Sequence, residues 1–187
     1  MHTKIDFLKE AVKTYKTSGT LIPSSRFLAA RMLKSIDFKN ADVIVELGPG
    51  NGAITKYILK KIQPNTQLIC FEINENFHKQ MQRISHPQLT LLNTSAENIC
   101  EELEKLKISK ACHIISSLPL TIIPNEVTKA ILENSYRVLA VNGDFIQYQY
   151  SLSYFKKLKA VFHKDISLTF EALNFPPAFV YRCKKLA

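Results

Sequence analysis

Short apolar runs and helically spaced apolar positions take turns along this chain. Residues 42–48, Asp-Val-Ile-Val-Glu-Leu-Gly, form an apolar run stopped by glycine, which predicts a buried strand. Ile54, Ile58, Leu59 and Ile62 then fall at helical spacing until Pro64 ends the helix. The alternation continues with a strand at 67–73, a helix at 76–84 closed near Pro87, a strand at 89–93 and an acidic helix through Leu106. A strand at 112–116 follows, then a helix that starts at Pro124, carries Val127, Ile131 and Leu139, and runs to about Asn142-Gly143. Residues 144–150 close the series as a fifth strand. Repeated strand–helix alternation of this kind predicts a doubly wound α/β sheet, mostly parallel, with right-handed crossovers.

The two ends have a different character. After Ser151 comes a basic helix at 154–162 and two strand-like runs, 166–173 and 178–183, joined by Asn174-Phe175-Pro176-Pro177. So short a connection predicts an antiparallel pair. At the N-terminus Ile5, Leu8, Val12 and Tyr15 share one face, while Lys4, Lys9, Lys13 and Lys16 surround it. That pattern suits a helix packed on the domain or one lying on a membrane surface. Ser18-Gly19-Thr20 interrupts it, and Pro23-Ser24-Ser25 predicts a second helix start with a serine cap before Phe27, Leu28 and Met32. The expected organisation is a helical, membrane-facing segment at 1–40 and one domain at 41–187.

With 187 residues, 46% of them hydrophobic and 22% charged, the chain can bury a core without disulfide or metal support. It has no apolar stretch long enough to span a bilayer and no apolar signal core after Met1, so a cytoplasmic protein is expected, at most peripheral on the inner membrane face. Cys70, Cys100, Cys112 and Cys183 form neither a CxxC pair nor a zinc spacing, which predicts free thiols and no metal. The net charge of +9 is uneven: residues 1–40 and 151–187 each carry +5, and the middle carries −1. This describes either a solvated surface or a polyanionic partner, nucleic acid or acidic lipid, approached by both ends.

The chemistry concentrates after the first strand. Glu46-Leu47-Gly48-Pro49-Gly50-Asn51-Gly52 leads into a helix, and glycines there permit tight turning and close approach to a ligand. Glu72 ends the second strand 24 residues beyond Gly48, where a carboxylate can hydrogen-bond both hydroxyls of a ribose. Loop and acid together point to a nucleoside cofactor. The loop also satisfies the dinucleotide pattern through Ala53, but Glu46 is an additional acid before it, placed to bond a cationic amino group or loop amides.

These residues resemble the class I S-adenosylmethionine-dependent methyltransferases. Glu46-x-Gly48-x-Gly50-x-Gly52 resembles their first motif, and Phe71-Glu72-Ile73-Asn74 their ribose-binding acidic motif. Asn93-Thr94-Ser95-Ala96-Glu97 sits where the family contacts adenine, and Ser116-Ser117-Leu118-Pro119-Leu120 where it presents the methyl acceptor. The resemblance implies a seven-stranded Rossmann-like sheet and S-adenosylmethionine as cofactor. It implies donor contacts from Glu46, Gly48, Pro49, Gly50, Asn51, Gly52, Glu72, Ile73, Ser95, Ala96 and Ser116.

Two subfamilies share a Leu-Pro at the acceptor loop. The rRNA adenine dimethylases have Asn-Leu-Pro and then an aromatic residue that stacks on the flipped base, where this chain has Ser117 and Leu120. They also carry a helical C-terminal domain, which these 187 residues are expected to lack. The small bacterial phospholipid N-methyltransferases, which act on phosphatidylethanolamine, are similar at residues 17–26, at Ser117-Leu118-Pro119-Leu120, at 145–150 and at 174–181.

This second resemblance implies a phospholipid head group at an anionic membrane surface. An RNA adenine methyltransferase and a nucleoside-binding protein without turnover are the alternatives. For the lipid reading the acceptor amine must lose its proton, which a desolvating pocket favours. A carbonyl of Ser116 or Ser117 can orient its lone pair, with Leu118 and Pro119 shaping the turn. Tyr148 and Tyr150 alternate along a strand, either facing the pocket to favour a methylated ammonium or simply packing. Arg26 is the candidate for the lipid phosphate, or else a solvated helix start.

Overall fold

The computed structural model describes residues 25–163 and 165–187. The amphipathic helix expected over residues 5–15 lies outside the described residues. In chain order the elements are α1 (Arg26–Leu33), β1 (Val43–Leu47), α2 (Ala53–Leu59), β2 (Gln67–Phe71), α3 (Glu75–Met81), β3 (Leu89–Leu92), a 3-10 turn (Ala96–Asn98) and α4 (Ile99–Lys105). They continue as β4 (Ala111–Ser116), α5 (Asn125–Val138), β5 (Leu139–Gln149), α6 (Phe155–Phe162), β6 (Ile166–Glu171) and β7 (Ala178–Lys184).

The strands form one seven-stranded sheet in the order β3-β2-β1-β4-β5-β7-β6. The first five are mutually parallel, and β7 runs antiparallel to both β5 and β6. This is the mostly parallel seven-stranded sheet with an antiparallel closing pair that the resemblance implied. Helices cover both faces. One face packs Val45, Leu47, Phe71, Ile114 and Phe145 beneath α4, α5 and α6. The other packs Ile44, Leu68, Ile115 and Ile146 beneath α1, α2 and α3, with Leu28, Ala29 and Met32 of α1 fully buried. The Ser25 hydroxyl caps α1 by accepting from the Leu28 amide at 3.1 Å.

One boundary departs from the apolar pattern. Leu139 was expected in the helix before β5, yet α5 stops at Val138 and Leu139 is already extended, paired with Ala111. The register then slips between Ala111 and His113, and Asn142-Gly143, expected as the helix stop, form a bulge inside β5. Asn142 has φ 64°, and a Cβ on Gly143 would lie 2.5 Å from the Cys112 carbonyl oxygen. Sheet pairing overrides helical spacing here because backbone partners are available on both sides of the strand. The second departure is at β6, which ends at Glu171 and leaves Leu173 in an exposed turn.

Because β1, β4 and β5 are parallel, their C-terminal ends share one edge of the sheet. The antiparallel arrangement brings the β6–β7 turn to that same edge, since Gln149 pairs with Phe179 and Glu171 with Ala178.

Candidate active site

The cleft opens where β1 and β4 part company, at the point where strand order reverses. β1 delivers the chain into a loop in which Gly48, Gly50 and Gly52 all have positive φ, at 68°, 60° and 78°. Space is equally restrictive. A Cβ on Gly48 would come within 2.7 Å of the Leu118 side chain, and one on Gly52 within 2.6 Å of the Met81 sulfur. Pro49 is buried, while Asn51 is exposed and turns its Oδ1 to accept from the Ala53 amide at 3.2 Å.

Glu72 is the acid of this cleft. It is 2% exposed, just beyond β2. Its Oε2 accepts from the Gly50 amide at 2.9 Å and its Oε1 from the Asn74 amide at 2.8 Å, so two backbone donors fix the carboxylate against the glycine loop. Asn93 donates to the Glu72 carbonyl at 2.8 Å and ties the end of β3 to it. A carboxylate fixed by backbone donors at this strand end suits a vicinal diol.

The cleft is lined by Gly48, Phe71, Glu72, Ile73, Thr94, Ser95, Ala96, Ser117, Leu118, Pro119, Ile123 and Ile131. Ser95 is buried and caps the 3-10 turn through its hydroxyl, accepting from the Glu97 amide at 3.4 Å. On the acceptor side, the Ser116 hydroxyl is fully buried and accepts from the Leu118 amide at 3.4 Å. The Ser117 hydroxyl is buried with no hydrogen-bond partner among the described residues. An acidic group among mostly apolar walls is the donor set that the hydroxyls and flat base of an adenosyl group call for.

Three expectations are corrected by the alternation of side chains along strands. Glu46 does not line the cleft. It pairs in register with Cys70, on the α2 side of the sheet. There it accepts from the Thr55 hydroxyl at 2.7 Å and from the Cys70 thiol at 3.5 Å, leaving Oε1 without a partner. Burial pushes its carboxyl up to about 7, against the lowering effect of those two donors, and the charge of Glu72 adds to the rise. Tyr148 and Tyr150 likewise face away from the cleft. They meet edge to face at 5.7 Å and pack with Ile146, Ala178 and Val180 on the α1 side.

The residues of β5 that do face the acceptor loop are Gln147 and Gln149, which the sequence reading passed over. Their amide groups donate to the Leu118 carbonyl at 3.0 and 3.3 Å, and Gln147 also donates to the Tyr148 carbonyl at 2.6 Å. Both are buried, so the pair clamps the turn that carries Pro119. Two glutamines in alternate positions at the end of the strand were the available signal. Arg26 lies in the first turn of α1, exposed, its guanidinium 4.8 Å from the Phe27 ring centroid. It is not part of the cleft lining. No group of metal-binding side chains occurs among the described residues.

Comparison with known proteins sharpens the picture. The family model of ribosomal RNA adenine dimethylase matches residues 16–140. The ornithine lipid N-methyltransferase of Singulisphaera acidiphila is 27% identical over 180 residues, covering 95% of this chain and 94% of that one. Ribosomal RNA small subunit methyltransferase A of Hydrogenobaculum sp. is 31% identical over 108 residues, covering 58% of this chain but only 40% of that one. Among solved structures, precorrin-6y C5,15-methyltransferase of Geobacter metallireducens superposes with a TM-score of 0.69 at 11% identity, covering 89% and 91% of the two chains. At that identity the likeness concerns the fold.

Proposed function

The chain belongs to the ribosomal RNA adenine dimethylase family and is a class I methyltransferase, and we propose that it methylates the primary amine of a membrane lipid. The observation that carries this reading is the similarity to a lipid N-methyltransferase along nearly the whole of both chains. The RNA methyltransferase it resembles is matched over less than half its length. The acceptor loop supports the same choice. Ser117 stands where the adenine dimethylases have an asparagine, and Leu120, where they place a base-stacking ring, is fully buried in the core.

When bound, S-adenosylmethionine supplies an electrophilic methyl group on a sulfonium. This chain's own part is to hold and to orient. Glu72 would hold the sugar hydroxyls, and Ile73, Ser95 and Ala96 would flank the base. Phe71, Leu118, Pro119, Ile123 and Ile131 make the walls apolar, and such walls favour the neutral amine over the ammonium. The Ser117 hydroxyl, without a hydrogen-bond partner among the described residues, would accept an N–H of the incoming amine and so aim its lone pair. Gln147 and Gln149 keep the loop in that position. Alignment of this kind is worth about 7 to 11 kcal/mol of a barrier when two reactants are held at attack distance.

The test offers labelled methyl donor with phosphatidylethanolamine vesicles, ornithine-lipid vesicles and an rRNA fragment in one competition. Label is expected in a lipid fraction, and mass spectrometry identifies which amine gained methyl groups. Label in the RNA alone overturns the lipid reading. The specific ground for that second reading is the family match itself.

A further inference from the structure

The β6–β7 turn is built the wrong way round for a solvent-facing loop. Its polar residues point in and its apolar residues point out. Glu171 and Asn174 are each 5% exposed, whereas Leu173 is 64% and Phe175 74% exposed. The buried pair pins the backbone. Glu171 accepts from the Leu173 amide at 3.0 Å with one oxygen and from Arg31 Nε at 3.0 Å with the other. Asn174 accepts from the Ser25 amide at 3.1 Å and donates to the Pro176 carbonyl at 2.8 Å. The turn is therefore tied to the start of α1, and Leu173 and Phe175 are held outward by a satisfied polar scaffold.

Their surroundings repeat the theme. Leu152, in the loop between β5 and α6, and Phe27, in the first turn of α1, are also exposed, as is Phe170 near the end of β6. All five lie toward the sheet edge onto which the cleft opens. Exposed cations lie on the same or following elements: Arg26 against Phe27, and Lys156 and Lys157 in the first turn of α6, where Lys157 donates to Asn125 Oδ1 at 2.7 Å. The acid nearest the turn, Glu171, is already paired with Arg31. Exposed apolar side chains gathered at one sheet edge, on elements that also carry cations, suit an interaction surface.

We propose that this rim is a membrane-docking surface, which inserts Leu173 and Phe175 into an anionic bilayer and sets the cleft mouth against the lipid head groups. The inference rests on the lipid reading above. An anionic bilayer accepts both features at once, with apolar side chains entering the acyl boundary and cations meeting lipid phosphates. A second copy of the chain would bring like charges together at the same patch.

The experiment is co-sedimentation with vesicles of mixed phosphatidylglycerol and phosphatidylethanolamine, comparing the unaltered protein with the double variant L173S/F175S. Both side chains are solvent-exposed, so the variant should melt at the same temperature and bind S-adenosylhomocysteine with the same affinity. Vesicle affinity is expected to fall at least about tenfold. Methylation of a detergent-dispersed lysophospholipid amine should persist. Equal vesicle binding by both proteins overturns the proposal. So does an unaltered protein that ignores vesicles, a dimer in ultracentrifugation that the variant abolishes, or a loss confined to rRNA-fragment binding. If no lipid amine is ever methylated, the lipid reading fails, while the vesicle comparison still decides the docking surface.

Discussion

Between β3 and β1 the functional edge of the sheet is made of backbone. Three glycines hold positive φ, two amides grip the Glu72 carboxylate, and the one buried acid behind the loop, Glu46, turns to Thr55. Between β5 and β6 the same edge is made of side chains. Two glutamines clamp a carbonyl, and a turn scaffolded by Glu171 and Asn174 carries exposed Leu173 and Phe175. The first region tolerates little change because a ligand must meet fixed amides. The second depends on what its side chains are, and under the proposed function it is the half that meets the acceptor. Relatives named for lipid and for RNA methylation are both similar to this chain, at 27% and 31% identity.

The comparison breaks most sharply at Glu72. Replacing it with alanine removes a charge-assisted pair of hydrogen bonds and leaves the Gly50 amide unpaired. Calorimetry with S-adenosylhomocysteine should show affinity falling by roughly 3 kcal/mol, on the order of a hundredfold. Unchanged affinity would remove the ribose assignment.

Glu46 tests the same half through stability. Folded, its carboxyl titrates at about 7; unfolded, near the ordinary 4.5. The native state therefore holds the proton more tightly, and stability falls as pH rises between those values, by up to about 3 kcal/mol. Glu46→Gln should flatten that slope and stabilise the protein at pH 8, read by urea unfolding at pH 5 and pH 8. A slope identical in both proteins would contradict the buried-carboxyl assignment.

In the β5 half, Gly143→Ala sets a methyl group against the Cys112 carbonyl and should cost about 2 kcal/mol in the same unfolding assay. A smaller and more specific effect is expected from Gln147→Leu. With one donor to the Leu118 carbonyl gone, kcat should drop about tenfold while donor affinity holds. Equal loss of donor affinity would place Gln147 in the wrong half of the site.

The two halves were not equally legible in the sequence. Glycines at alternate positions after an apolar run, with an acid at the next strand's end, locate a loop and its partner because both depend on chain order alone. The direction of a side chain from a strand covered on both faces is harder. Val45 and Leu47 are as buried as Ile44, so nothing in their polarity says which way Glu46 turns. The same ambiguity put Tyr148 toward the cleft when Gln147 and Gln149 occupy that face. Leu139 had apolar spacing compatible with both helix and strand, and only pairing with Ala111 decided it. The β6–β7 turn is legible from the shortness of the connection between two strand-like runs. That its apolar residues face outward depends on the buried bonds of Glu171 and Asn174, which span distant parts of the chain.

A crystal structure with S-adenosylhomocysteine tests the donor half most directly. The sugar hydroxyls should lie within hydrogen-bond distance of the Glu72 carboxylate, with the base beside Ile73, Ser95 and Ala96. A nucleoside bound elsewhere, or a cleft closed by protein atoms under saturating ligand, would contradict the account.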